Sequence, residues 1–374
     1  MKKSLLFFSL LLMAGWLSAQ ITVTNATFPA TGDTLRTATD FAPSGIEITA
    51  AGGPFNWDFT GLSVGIQSET VFLDASEGSA FDQLPNATHV VIDDLTGGEA
   101  YFRVTADKVD LLGANGNDPT GFGVNALFKF SPPLNQRRAP MAFPSNSLTE
   151  ASVKLTLAWT DLPQALQDAI PIQLADSIRL NVQLDQNDFV DAYGTLAIPG
   201  GSYEVLRQKH TQLTETLVEV LVFGFWIDAT NQIPPPFNEF LKDTTITYDY
   251  YSATEKEVIA SVTVDADDNP MSVTFKDNGM LTADEEVVGE QPTAGLMPNP
   301  VHDWANFKFQ HFPNGEYSMD IFDLNGKHVF NKICLINNDQ NLSFNLSRLP
   351  AANYFFLLKN KKGEIISSGK LIKK

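Results

Sequence analysis

Apolar and polar positions alternate with a period of two along most of this 374-residue chain, the pattern of half-buried strands. The runs "ITVTNATF", "GIEITAA", "FNWDFTGL", "SETVFLDA" and "THVVIDDL" are rich in β-branched and aromatic residues. Gly, Pro and Asp clusters separate them, so each predicts a short strand. Ala100 to Ala114 predicts a hairpin turning near Asp107. Further on, "SIRLNVQLD", "VDAYGTLAIPGGSYEVLRQKH", "TETLVEVLVFGFW", "TTITYDYYS" and "VIASVTVDADDNPMSVTFKD" continue the pattern. The last is a second hairpin, with Asp267, Asp268, Asn269 and Pro270 as turn residues. In "LVEVLV", Val218, Val220 and Val222 share one face while Leu and Glu alternate on the other, as packed sheets require. The longest apolar candidate, Leu221 to Ile227, predicts a buried strand.

One segment breaks the period. In "DLPQALQDAIP", Leu162, Leu166 and Ile170 recur at every fourth residue, Asp161 stands as a cap and Pro171 as a stop, predicting a short helix. The expected fold is therefore all-β: an antiparallel sheet or sandwich body with a short helix, then a small immunoglobulin-like β-sandwich at the C-terminus. A sub-boundary in the body falls near 140–150, at "SPPLNQRRAPMAFPSNS". A clearer one falls at 284–297, "DEEVVGEQPTAGLM", where apolar periodicity stops and the charge balance reverses.

The first 20 residues read as a signal peptide: Lys2 and Lys3, an apolar stretch from Leu5 to Met13, and a small-residue cleavage site at Leu17-Ser18-Ala19. No later run reaches the roughly 18 apolar residues of a spanning helix. Of the formal charge of −19, residues 21–290 carry 13 basic against 38 acidic groups, whereas 291–374 carry 10 against 6. A body of charge −25 repels nucleic acid and anionic lipid. Cys334 stands alone, which excludes an intrachain disulfide and any multi-cysteine metal motif.

After 297 come about seven short strand signals in roughly 80 residues, the content of a small sandwich. Asn325-Gly326 predicts a hairpin turn, and a final hairpin turns around Lys362-Gly363. Here the chain resembles the type A C-terminal sorting domain of the type IX secretion system. The residues that carry the resemblance are Pro298-Asn299-Pro300, Tyr317 to Gly326 (with Asp323) followed by Lys327, Leu349 to Tyr354, and the closing Gly369-Lys370-Leu371-Ile372-Lys373. The resemblance implies export across both membranes, with the C-terminal domain read by the secretion machinery and removed by a surface sortase. The body is then attached to lipopolysaccharide or released. Segments of 21–276 also look like uncharacterised exported proteins with the same tail, a likeness that brings no function.

Candidate chemistry in the body is sparse. Gly61-Leu62-Ser63-Val64-Gly65 fits G-x-S-x-G, but a nucleophile elbow needs a strand before the serine and a helix after it. Here a strand follows, and only His89 and His210 are available as bases. No cofactor is expected. For structural Ca²⁺ the oxygen-rich stretches are Asp265, Asp267 and Asp268, and Asp185, Asn187, Asp188 and Asp191. A sugar platform would use Trp57, Trp159, Trp226 or the run Tyr248, Tyr250, Tyr251, since strand residues two apart point to one face. A curved sheet could instead hold a lipid-like ligand. Nothing assembles the roles of a catalytic centre. The reading is an exported type IX cargo with a structural or interaction role. A carbohydrate- or lipid-binding module is the alternative, and a hydrolase stands behind both.

Overall fold

The computed structural model describes residues 21–93, 98–116, 126–162, 167, 170, 172, 175–233, 238, 241–279, 292–297, 299–323, 328–337, 340–350, 352–361, 363 and 365–374. The signal segment and most of the expected helix lie outside these residues. Of that helix, Leu162 and Ile170 are buried in the core.

The body begins with β1 (Thr34–Asp40), β2 (Gly52–Asp58), β3 (Ile66–Val71), β4 (Leu73–Asp74) and β5 (His89–Ile92). There follow β6 (Glu99–Val104), β7 (Lys108–Asn115), β8 (Leu127–Arg138) and β9 (Ser145–Ala158). Two very long strands, β10 (Ala175–Ile198) and β11 (Gly201–Val222), precede β12 (Phe225–Asp228) and β13 (Lys242–Ser252). The hairpin β14 (Val258–Val264) and β15 (Pro270–Lys276) closes the body. All lie in one sheet of order β3-β1-β15-β14-β13-β11-β10-β9-β8-β7-β6-β5-β4, with β12 on β11 and β2 parallel to β10. Its two ends are consecutive in the chain. Phe72, between β3 and β4, exchanges backbone bonds with Gly32 and Asp33 (2.7 and 2.9 Å), which carries the β1–β3 ladder up to the start of β4 and brings the two ends of the sheet together. The stretch near 140–150 joins β8 to β9 within this sheet.

The runs expected as separate short strands around 177–222 are one hairpin. Of the 24 residues of β10, 22 pair with the 22 of β11, a ladder roughly 70–75 Å long at about 3.3 Å per residue. Its turn is Pro199-Gly200, with Gly200 at φ 78°. Proline fixes the first corner, and glycine tolerates the left-handed second. The polar stretch Asp185–Asp188 stays in strand because each residue has a cross-strand partner.

A hairpin this long is buried on both sides, but not in the same place. In its first half the inward residues are Ile178, Leu180, Val182 and Leu184 with Val218 and Val220, packed on Phe128, Phe130 and Val153. In its second half they are Ala192, Leu196, Ile198 and Val205, packed on Trp57, Tyr248, Tyr250, Val262 and Phe275. The register shift between Val190 and Ala192 inserts Asp191 as an extra residue. Such a bulge moves every later side chain to the other face.

Asp191 itself turns into the core. Arg207, fully buried, donates from Nε and Nη2 to the two Asp191 oxygens (both 2.8 Å). Its remaining donors reach Thr49 Oγ1 (3.0 Å) and the Ala50 carbonyl (3.3 Å), and Tyr248 lies 5.0 Å below its charge. Gly45–Ala51, expected as a strand, is therefore no member of the sheet. Its polar groups satisfy the guanidinium, while Ile46 and Ile48 pack on the core. The first run also differs: only Val23 bridges, to Met141, before a 3₁₀ turn at Asn25–Thr27.

Leu221 to Ile227 is not a buried strand. Phe223 (φ 49°) and Gly224 (φ 81°) form a two-residue hairpin turn that carries β12 back along β11. Phe223 and Phe225 are left 76% and 75% exposed.

The C-terminal module comprises β16 (Thr293–Leu296), β17 (Trp304–Gln310), β18 (Gly315–Phe322), β19 (His328–Ile336), β20 (Gln340–Asn345), β21 (Asn353–Asn360) and β22 (Ile365–Ile372). Sheets β16-β17-β20 and β19-β18-β21-β22 face each other across Phe307, Phe309, Phe344, Met319, Ile321, Phe356 and Leu371, a small two-layer sandwich. Thr293–Leu296, expected in the linker, pairs with Phe307–Gln310 and belongs to this module.

Two outcomes are expected. Asp191→Ala leaves the buried Arg207 charge without its counter-ion and lowers stability by about 3–5 kcal/mol, read from equilibrium urea unfolding. His210 bonds through Nδ1 to Asp188 (2.6 Å). Burial alone would lower its pKa, but that bond and the charges of Asp188 and Asp249 outweigh it and raise the pKa above the ordinary 6.5. The stabilisation is complete below pH 6.5 and fades as pH rises through the raised value. His210→Gln flattens that part of the thermal-midpoint profile.

Candidate functional site

The residues singled out in the C-terminal module converge to hold the closing strand in place. Asn299 reaches the end of β22 with both ends of its amide. Nδ2 donates to the Lys370 carbonyl and Oδ1 accepts from the Ile372 N–H, each at 2.9 Å. Pro300 follows, and Val301 bridges Lys373 in parallel fashion, its N–H on the Ile372 carbonyl (2.7 Å). The segment around Asn299 thus acts as a surrogate strand beside the last residues of the chain. Leu371 is fully buried between the sheets. At Gly369 a Cβ would lie 2.7 Å from the Phe356 ring, so glycine lets that ring close over β22.

The two tyrosines play matching parts. Tyr317 donates to the Pro313 carbonyl (2.8 Å) and Tyr354 to the Pro350 carbonyl (2.9 Å). Each hydroxyl pins the loop four residues upstream, the device of a tyrosine corner. Burial pushes both phenols up. Asp323 follows β18, and its charge adds to the upward shift of Tyr354. Lys373 is buried and lies 3.5 Å from the Asp303 carboxylate. Lys370 leaves the module and pairs with Asp93 of the body at 2.9 Å. Pro298, Gly326 and Lys327, with the Asn325-Gly326 turn, lie outside the described residues.

One cluster had no sequence signal. Asp320, buried on the outer face of β18, accepts from His328 Nε2 (2.8 Å) and Asn331 Nδ2 (2.6 Å), with Lys359 at 3.5 Å. Burial alone would raise its carboxyl, but these partners hold it below the ordinary carboxylate range. Its partners come from two other strands, so only the folded sheet gathers them.

The candidate chemistry of the body is dispersed. The Ser63 N–H donates to Asp40 Oδ2 (2.8 Å), whereas His210 is held by Asp188, and His89 Nδ1 bonds the Thr88 hydroxyl. No bond links the serine to either ring, and β3 follows the glycines, so the nucleophile elbow is absent. Asp265 directs its oxygens to the Asp267 N–H and to Asn269, closing the β14–β15 turn. Asp268 faces Tyr248 and Lys209. Asp185, Asn187, Asp188 and Asp191 lie along one extended strand and diverge. Among the described residues no group of three or more His, Cys, Asp or Glu side chains could hold a metal ion. Tyr248 and Tyr250 do share a face, but it is the buried one, at 3% and 0% exposure, where the Tyr250 ring packs on Trp57 and Phe59. They offer no sugar platform. Trp57 is buried, and Trp226 lies under the Arg179 guanidinium, 3.6 Å away. Two concavities are open surface depressions, one lined by Asn146, Asn187, Phe189, Lys209 and Thr211, the other by Arg36, Glu69 and Lys276 among others. No described helix is long and apolar enough to cross a membrane.

A nearly closed antiparallel β body, in whose described residues the candidate chemistry stays dispersed, is followed by a compact sandwich whose marked residues secure its last strand. Residues 296–374 match the family model of the secretion system C-terminal sorting domain, and that module is a type IX secretion sorting domain. A tail of this kind indicates a cargo of that pathway. No curated protein matches it. The crystal structure of dimeric latent PorU from Porphyromonas gingivalis aligns with 92% of this chain at 9% identity and a TM-score of 0.21. The alignment spans 30% of that protein, and a likeness so slight carries no argument.

Asn299→Ala removes both bonds to the closing strand. The expected result is a loss of roughly 1 kcal/mol or more in module stability, with faster amide hydrogen exchange at Ile372 and little change in the body.

Proposed function

We propose that residues 21–283 are a non-catalytic structural or interaction body, delivered to the cell surface or the medium by the C-terminal sorting domain. Residues 1–20 direct the first membrane crossing. The secretion machinery reads the sorting domain for the second, and a surface sortase then removes it. The body remains attached through lipopolysaccharide or is released. The observation that supports this most strongly is the match over 296–374, together with the convergence of Asn299, Tyr354, Gly369 and Leu371 on one closed sandwich. The reversal of charge between acidic body and basic tail fits two parts with separate roles. A non-catalytic body is supported by the separation of Ser63 from His210 and by the engagement of the turn carboxylates.

The test is mass spectrometry of periplasm, surface and culture medium for the wild type and for a chain truncated before Pro298. The expected result is wild-type body outside the cell whose intact mass shows the polypeptide cut before residue 298, and the truncated chain retained in the periplasm. Equal export of both, or surface protein whose intact mass still includes residues 298–374 in one uncut chain, overturns the proposal.

A further inference from the structure

The G-x-S-x-G stretch has a use other than catalysis. Asp40, at the end of β1, is buried and accepts from the N–H groups of Ala42 (2.9 Å) and Ser63 (2.8 Å). The Gly65 N–H donates to the Thr39 carbonyl (2.9 Å). These bonds fasten the Gly61–Gly65 loop beside Phe41. A Cβ on Gly65 would lie 2.9 Å from the Thr39 carbonyl oxygen and 3.1 Å from the Phe41 ring, so only glycine leaves room for the phenyl group there.

Phe41 points at the sorting domain. Its ring centroid is 5.5 Å from that of Phe322 on β18 and 5.5 Å from that of Phe355 on β21, within the range of favourable aromatic pairs. Phe41, Phe322 and Leu357 are buried together, with Ile66, Phe355 and Ile365 at the margin. Phe322, Phe355 and Leu357 lie on the outer face of their sheet, opposite the face that forms the sandwich core. The body is what covers them. Polar contacts fix the register: Ser368 Oγ donates to the Gly65 carbonyl (2.5 Å), and Lys370 pairs with Asp93 (2.9 Å).

We infer that the body carries a docking seat for its own sorting domain, built from Phe41, Ile66, the Gly65 carbonyl and Asp93. The seat accepts a sheet face that presents two phenyl rings and a lysine. The buried phenyl cluster and the two polar contacts hold the module on this seat by themselves, and the tether adds an effective concentration in about the millimolar range. Two consequences follow. Cutting the connection between the parts does not by itself separate them, and any partner that reads the outer face of β18 and β21 must first displace the body. The inference rests on the contact alone and stands whether or not the chain is exported.

The experiment uses the full chain with a protease recognition sequence inserted within 284–290. After cleavage, the two pieces are run on a sizing column at micromolar concentration. The expected result is co-elution for the wild type and separation for Phe41→Ala, about 10- to 100-fold weaker in affinity, as for an aromatic anchor. The uncleaved variant serves as the folding control, by circular dichroism. Asp93→Lys, a surface change facing Lys370, provides a second variant should Phe41→Ala fail to fold. It is expected to weaken the pairing at least about tenfold, because it sets like charges face to face. Separation of the cleaved wild-type pieces, or co-elution of a folded variant as tight as wild type, overturns the inference.

Discussion

The body hangs on the bulge at Asp191. A ladder as long as β10–β11 cannot stay against a single core, so its buried face must change along its length. On β10 one inserted residue makes that change, and on β11 the apolar positions themselves shift from Val218 and Val220 to Val205. The price is a carboxylate facing inward, and Arg207 meets it with two parallel hydrogen bonds. Thr49, Ala50 and the Tyr248 ring occupy the rest of the guanidinium. Such a fully bonded ion pair adds little stability over an apolar pair, yet losing one member is costly. It fixes register: the bulge it holds turns Ala192, Leu196 and Ile198 to the face packed on Trp57 and Tyr250.

The C-terminal module is organised on the opposite principle. Its strands are short, its core is a stack of phenyl rings, and its last strand needs outside help. Asn299 and Val301 lend backbone-like partners to Lys370–Lys374, while the two tyrosine hydroxyls hold the loops that lead into β18 and β21. Residues that look like a linear signal in the sequence are, in space, the fastening of one edge. Lys370 is the exception. It points away from its own module to the body, and through it the basic tail meets the acidic cargo.

Much of this was legible in one dimension. The strand period, both hairpins at Asp107 and Asp267–Pro270, and the run of short strands in the tail follow from local rules, because alternation and turn residues act over a few positions. The sorting-domain resemblance was likewise local: a string of residues in order. Errors arose where a distant partner decides. "GIEITAA" has strand composition, but Arg207, more than 150 residues away, takes its polar groups. Leu221 to Ile227 is apolar enough for a core, but Phe223 and Gly224 adopt left-handed geometry and lift it into solvent. Tyr248 and Tyr250 share a face, as alternation requires, but Trp57 and Phe59, nearly 200 positions earlier, cover that face.

By itself, then, the sequence determined the all-β class, the division into acidic body and basic tail, and the identity of the tail, because strand period, charge and motif order are properties of neighbouring residues. The tertiary structure alone decided which face of each strand is buried, that Asp320 gathers His328, Asn331 and Lys359, that Ser63 and His210 remain apart, and that Gly65 makes room for Phe41 beneath the sorting domain. Each of these joins residues tens to hundreds of positions apart, and only the closed sheet and the packing of two sheets bring them within reach.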